Sequence, residues 1–278
     1  MRKKTLFTEG VFHQFIIQHL SFIIQNVLVK NNKTTIEICA QSITSAIAAQ
    51  EGGANRIELC TALEVGGLTP SAATIIEAKR RLTIDICVLI RPRAGDFLYS
   101  DIEFEIIKKD ILFCKEQGIQ GVVVGILKEN KEFDIDKMRE LATLARPMQV
   151  ACHRAFDQTP DGFVALEQLI ELRYDRVLTC GQAENVAAGK DKLKQFVEKA
   201  QGRIAIMPGN GVTLENIADI ISYTQVKDIH LTAKELIISQ MKGINDGLFG
   251  IKDSINNNYY ETSLEIVKQA VEIVKNEL

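Results

Sequence analysis

The sequence predicts a single (β/α)8 TIM barrel preceded by a helical extension, and three observations carry that prediction. From residue 34 onward, eight short β-branched runs alternate with helical patterns at a steady period. Ionisable and sulfur side chains recur at alternate positions of several runs, as expected of residues that line a lumen. The chain's 278 residues also suit one barrel, a fold that takes about 250.

The β-runs cover residues 35–39, 56–60, 84–90, 121–126, 148–152, 176–179, 203–207 and 226–231. Helical patterns occupy residues 42–50, 70–81, 101–117, 134–145, 161–172, 183–200 and 214–223, and a last one covers 262–275. Such alternation implies right-handed crossovers and a parallel sheet, and eight repeats allow the sheet to close. A doubly wound open sheet is the rival, but no Gly-rich dinucleotide turn follows an early run. Residues 233–260, rich in Asn, Gly and Ile, read as a long loop.

Residues 1–33 are set apart from the barrel domain, 34–278. A basic start and the absence of Asp, Glu, Lys and Arg from residues 11–29 imitate a signal peptide or anchor. However, Glu9 and Gly10 interrupt the approach, no small-x-small cleavage site follows, and several Gln and His residues would be costly in lipid. An extra amphipathic helix is expected, with a start assigned too early as the rival.

Composition narrows the function classes. With 46% hydrophobic and 25% charged residues the chain can bury a large core without disulfides. A net charge of -3 and the lack of a basic domain argue against nucleic acid. Six cysteines show no C-x-x-C pair, so reduced thiols in a cytoplasmic protein are expected. Outward apolar helix faces leave room for a homodimer.

Because the outer face of a barrel strand must be apolar to receive a helix, alternation fixes which side chains point inward. Ile36 and Ile38 outward put Glu37 and Cys39 inside; Ile57 and Leu59 outward put Glu58 and Cys60 inside. Cys87, Arg91, His153, Asp228 and His230 follow by the same parity, with Cys152 on the outer face. The third run continues into Ile90-Arg91-Pro92-Arg93-Ala94-Gly95-Asp96-Phe97-Leu98-Tyr99-Ser100. It places two guanidinium groups at the carboxyl end of a strand, where barrels keep their chemistry. Arg93, Asp96, Arg154, Asp157 and Thr179 are expected at the rim. Gly209-Asn210-Gly211 follows the seventh run, where backbone amides often cradle an anion, although a plain turn explains it as well.

So many ionisable groups in one lumen require partners. One arrangement is a self-satisfied ion network of Glu37 and Glu58 with Arg91 and Arg154. Another is an enzyme for a small phosphorylated or carboxylated substrate. Glu37, Glu58, Arg91, His153 and Asp157 would then be its catalytic candidates, and Arg91, Arg93, Asp96, Arg154, Thr179, Gly209 and His230 its ligand-binding ones. A third uses sulfur: Cys39 and Cys60 sit at matching heights on strands about 4.8 Å apart and could share a soft ion such as Cu(I), although buried cysteine is more often a small apolar residue.

Several segments resemble one family: Ile36-Glu37-Ile38-Cys39, Gly53-Ala54-Asn55-Arg56-Ile57-Glu58-Leu59-Cys60, Gly66-Gly67-Leu68-Thr69-Pro70-Ser71, Ile90-Arg91-Pro92-Arg93 through Ser100, His153-Arg154-Ala155-Phe156-Asp157, Val177-Leu178-Thr179 and Ile206-Met207-Pro208-Gly209. Together they are similar to the CutC family, known as copper homeostasis proteins, across most of residues 34–232. The resemblance implies a (β/α)8 barrel in the cytoplasm that binds Cu(I), a property carried over to Cys39 and Cys60. This chain departs from the family at Cys180, where Ser is usual, at Asn210, where Gly or Ala is usual, and at Leu231-Thr232-Ala233. The extension over residues 1–33 has no counterpart.

Overall fold

In the computed structural model, residues 34–241 and 258–276 are described, so the helix expected over residues 1–33 lies outside the described residues. Eight parallel strands form one sheet: β1 (Thr35–Ala40), β2 (Arg56–Leu59), β3 (Asp85–Leu89), β4 (Gly121–Val123), β5 (Gln149–Cys152), β6 (Arg176–Thr179), β7 (Ala205–Pro208) and β8 (Asp228–Leu231). Their order is β7-β6-β5-β4-β3-β2-β1-β8, and β7 packs alongside β8, which brings the sheet's two ends together. The helices between them are α1 (Ile43–Glu51), α2 (Ala72–Arg81), α3 (Asp101–Glu116), α4 (Ile135–Ala145), α5 (Gly162–Glu171), α6 (Lys190–Ala200) and α7 (Ile217–Thr224), and α8 (Leu264–Asn276) follows. The open doubly wound alternative is excluded. Among the described residues no helix is long and apolar enough to cross a membrane.

The inward and outward parity read from the sequence is what the packing displays. Ile36, Ile38, Ile57, Leu59, Ile86 and Val88 join the layer between strands and helices, and so does Cys152. Cys39, Cys60, Cys87, Leu89, Val123 and Ala151 form a separate cluster in the lumen. Burying each large aliphatic side chain of the outer layer contributes about 1.5–3 kcal/mol. That layer fixes register, because a slip of one residue would exchange the two sets.

Helix starts follow local chemistry. Ser100 caps α3 with a complete capping box: its hydroxyl accepts from Glu103 N–H, and the Glu103 carboxylate accepts from Ser100 N–H at 2.7 Å. Ser42, Ser71, Asp134 and Asp161 cap α1, α2, α4 and α5.

Two expected elements differ. The helix predicted over residues 183–200 begins only at Lys190. The Asn185 side chain captures the N–H groups of Ala187 and Ala188, and Gly189 passes so close to Cys180 that a Cβ would stand 1.9 Å from its carbonyl oxygen. A tight loop therefore replaces the first helical turns. The loop expected over residues 233–260 contains two strands, β9 (Lys234–Ile237) and β10 (Tyr259–Thr262), paired antiparallel. Glu261 of β10 accepts from the hydroxyls of Ser42 and Ser45, anchoring the pair to α1.

Candidate functional site

The floor of the lumen is set by strand register. Glu37 lies opposite Arg56 on β2 and His230 on β8, and Cys39 lies opposite Glu58. The Arg56 guanidinium donates to Glu37 through Nε and to Asp228 Oδ1 at 2.6 Å. His230 Nδ1 lies 2.8 Å from Glu37 Oε1, and its Nε2 lies 3.8 Å from Glu58 Oε2. The Cys39 thiol donates to Glu58 Oε2 at 3.4 Å and lies 3.6 Å from Cys60 Sγ. Deeper still, Arg176 donates to Gln149 and, at 3.1 Å, to Cys87 Sγ.

These contacts set the charges. Burial alone would raise the Glu37 carboxyl, but the adjacent Arg56 guanidinium and His230 override it and hold it well below the usual carboxylate range. Burial would lower His230, yet its bond to Glu37 and the nearby Glu58 charge raise it. Burial raises the Glu58 carboxyl against the pull of His230. The Cys39 thiol is pushed well up by its contact with Cys60, by burial and by Glu58, so at rest it is protonated.

Above this floor opens a cavity of about 560 Å³, lined among others by Cys39, Glu58, Arg91, His153, Arg154 and His230. Arg91 is 5% exposed. It donates to the carbonyls of Val65, Gly67 and Gly95 at 2.8–2.9 Å, and among the described residues no carboxylate pairs with it. Phe97 lies beneath its guanidinium at 5.3 Å and against the His153 ring at 4.6 Å. His153 Nδ1 accepts from Ala155 N–H at 3.1 Å, while its Nε2 is buried with no partner among the described residues. Burial and the Arg91 charge push His153 down to about 3.

The structure thus gathers Glu37, Cys39, Glu58, Cys60 and His230 at the floor, and Arg91, His153 and Arg154 around the cavity. Asp157 and Thr179 sit behind the wall, joined by a bond of 2.5 Å, and Asp157 also receives Arg154 Nε at 3.0 Å. Gly209 approaches His230 so closely that a Cβ would stand 3.2 Å from its ring, and its N–H donates to the Thr179 carbonyl. Arg93 lies outside the cavity and pairs there with Asp96 and with Glu103 at the start of α3. They steady the turn, since the Arg93 guanidinium also takes the Leu98 carbonyl.

The ion network expected of Glu37 and Glu58 with Arg91 and Arg154 is not the one formed. Arg56, one strand repeat below Glu58, reaches Glu37 first and leaves Arg91 to backbone carbonyls. Arg56 and Arg176 are not among the candidates drawn from the sequence although they share the inward parity of Glu58 and Leu178. Their signal was an arginine at the first position of a strand, two residues before a lumen-facing one.

The soft thiols, carboxylate and imidazole of the floor form a donor set: one ligand atom each of Cys39, Glu58 and His230 lie within 4.8 Å of one another. The cavity above it is large enough for a small organic molecule. The CutC protein of Parabacteroides distasonis is 45% identical over 231 residues, covering 83% of this chain and 95% of that protein. The CutC protein of Vibrio vulnificus is 47% identical over 214 residues, covering 76% and 86%. A solved structure described as a copper homeostasis protein, CutC from Streptococcus agalactiae, superposes with a TM-score of 0.69 at 36% identity, covering 72% of this chain and 98% of that one. The family profile matches residues 34–235, and the chain belongs to the CutC family.

Proposed function

We propose that the protein serves copper homeostasis in the cytoplasm by holding Cu(I) at the barrel floor through Cys39 and Cys60. One observation carries this reading: two thiols on neighbouring strands stand 3.6 Å apart, beside the Glu58 and His230 donors. With metal–sulfur bonds of about 2.3 Å, two sulfurs at that separation can share one ion. Thiolates suit Cu(I), and an imidazole suits copper too. Because the Cys39 thiol is protonated at rest, the ion must displace a proton, and affinity should rise with pH. The test is a competition titration against a Cu(I) chelator. Affinity should collapse in the Cys39→Ser and Cys60→Ser double variant, and unchanged affinity would remove the reading.

A second reading is favoured by Arg91, a buried cation facing the cavity without a carboxylate partner among the described residues. Such a charge is stable when an anion joins it. The barrel mouth would then bind, and act as an enzyme on, a small phosphorylated or carboxylated molecule. A thermal-shift screen of anions tests it, with Arg91→Lys as the variant that keeps a cation if Arg91→Ala fails to fold. Equal stabilisation of wild type and both variants would end this reading.

A further inference from the structure

The second reading leaves open what His153 does there, since a histidine at a barrel mouth is commonly cast as a proton carrier. We infer that His153 is instead an uncharged hydrogen-bond donor which, beside the fixed cation Arg91, receives one carboxylate or carbonyl oxygen of a small organic anion. The inference rests on the second reading and specifies its substrate class and the atoms that hold it.

Three observations support the assignment. Nδ1 accepts from Ala155 N–H, so the proton of the neutral ring resides on Nε2. That Nε2–H is buried, has no partner among the described residues and belongs to a ring lining the cavity. A buried donor left without an acceptor is destabilising, and a ligand oxygen would relieve that cost. The ring is also held in place: Phe97 covers it at 4.6 Å, and Gly125 passes so close that a Cβ would stand 2.8 Å from Cε1.

Arg91 completes the subsite. Its three carbonyl bonds fix the guanidinium, so the charge needs no reorganisation when a ligand arrives. A neutral donor beside a fixed cation suits an oxygen that carries or gains negative charge. The other charged groups facing the same cavity are Arg154, Lys234, Glu58 and His230, with Asp157 bonded behind Arg154. Arg154 and Lys234 leave the rim cationic for a second acidic group. No proton passes through His153 in this scheme.

The test is nitrogen-15 NMR of the His153 ring in the full chain, together with thermal-shift titration of oxalate and malonate, with chloride as the salt control. His153 should remain the Nε2–H tautomer from about pH 5 to 8, the range in which ordinary histidines titrate. Oxalate should move the Nε2 signal and stabilise the protein more than chloride does. His153→Gln, which keeps a donor, should retain most of that affinity, whereas His153→Leu should lose about tenfold, the loss of one hydrogen bond to a charged group. A His153 that titrates within that pH range overturns the inference, as does His153→Leu binding oxalate like wild type. If oxalate binds while the His153 signals stay fixed, this assignment falls and the anion pocket stands. If no anion binds at all, the second reading falls with it.

Discussion

Replacing Arg56 with Met removes the side chain that, among the described residues, bridges Glu37 and Asp228, both buried at the foot of the lumen. The variant keeps the volume of the aliphatic stem and loses only the guanidinium. Breaking a buried pair from one side costs about 3–5 kcal/mol, because Asp228 and Glu37 stay dry and lose the cation they share, Glu37 keeping its bond to His230. At about 2–4 °C per kcal/mol for a chain of this size, melting should fall by roughly 6–20 °C. The pH dependence supplies a second check. In the wild type Glu37 is held below its unfolded value, so its pairing contributes stability above about pH 4.3 and loses it as pH falls through the folded value. Without Arg56 the largest of the influences that lower the carboxyl is gone, so the folded value should rise although the bond to His230 remains. The deficit should therefore be largest near neutral pH and narrow below about pH 5. Calorimetry of both proteins across that range reads the effect. A loss below about 1 kcal/mol that does not vary with pH would refute a charge-balanced floor.

Other consequences can be measured in the same way. His230→Gln should cost most below about pH 6.5 and progressively less as pH rises, since a raised histidine contributes its stability while charged and loses it through the folded value. Gly189→Ala should destabilise by about 1–3 kcal/mol in urea titration, because the added Cβ would stand 1.9 Å from a backbone carbonyl that cannot step aside. Ser100→Ala should cost about 1 kcal/mol through loss of the α3 cap, without altering the cavity. Thr179→Val should cost about 0.5–1.5 kcal/mol, since Asp157 retains donors from Arg154, Cys180 and Gln182.

Alternation made most of the lumen legible in the sequence. Ile36 and Ile38 had to meet helices, and that alone placed Glu37 and Cys39 inside, as it did Glu58 and Cys60. Distance along the barrel axis was not legible in the same way. Arg56 and Arg176 carry the inward parity, but only the stagger of neighbouring strands shows that they sit below Glu58 and balance Glu37 and Asp228. Arg93 and Asp96 read as rim residues because they follow Arg91. The turn after Pro92 and Gly95 carries them to the head of α3, where Arg93 finds Asp96 and Glu103 as partners outside the cavity. The β9–β10 pair gave little signal, because its strands are short and far apart in sequence and β9 is largely exposed.

The claim that the two thiols of the floor hold Cu(I) can be probed most directly by copper-edge X-ray absorption on Cu(I)-loaded protein. Backscattering should come from two sulfurs, and it should disappear when Cys39 and Cys60 are both replaced by Ser. A first shell of nitrogen and oxygen alone, or a spectrum that the double substitution leaves unchanged, would contradict the account.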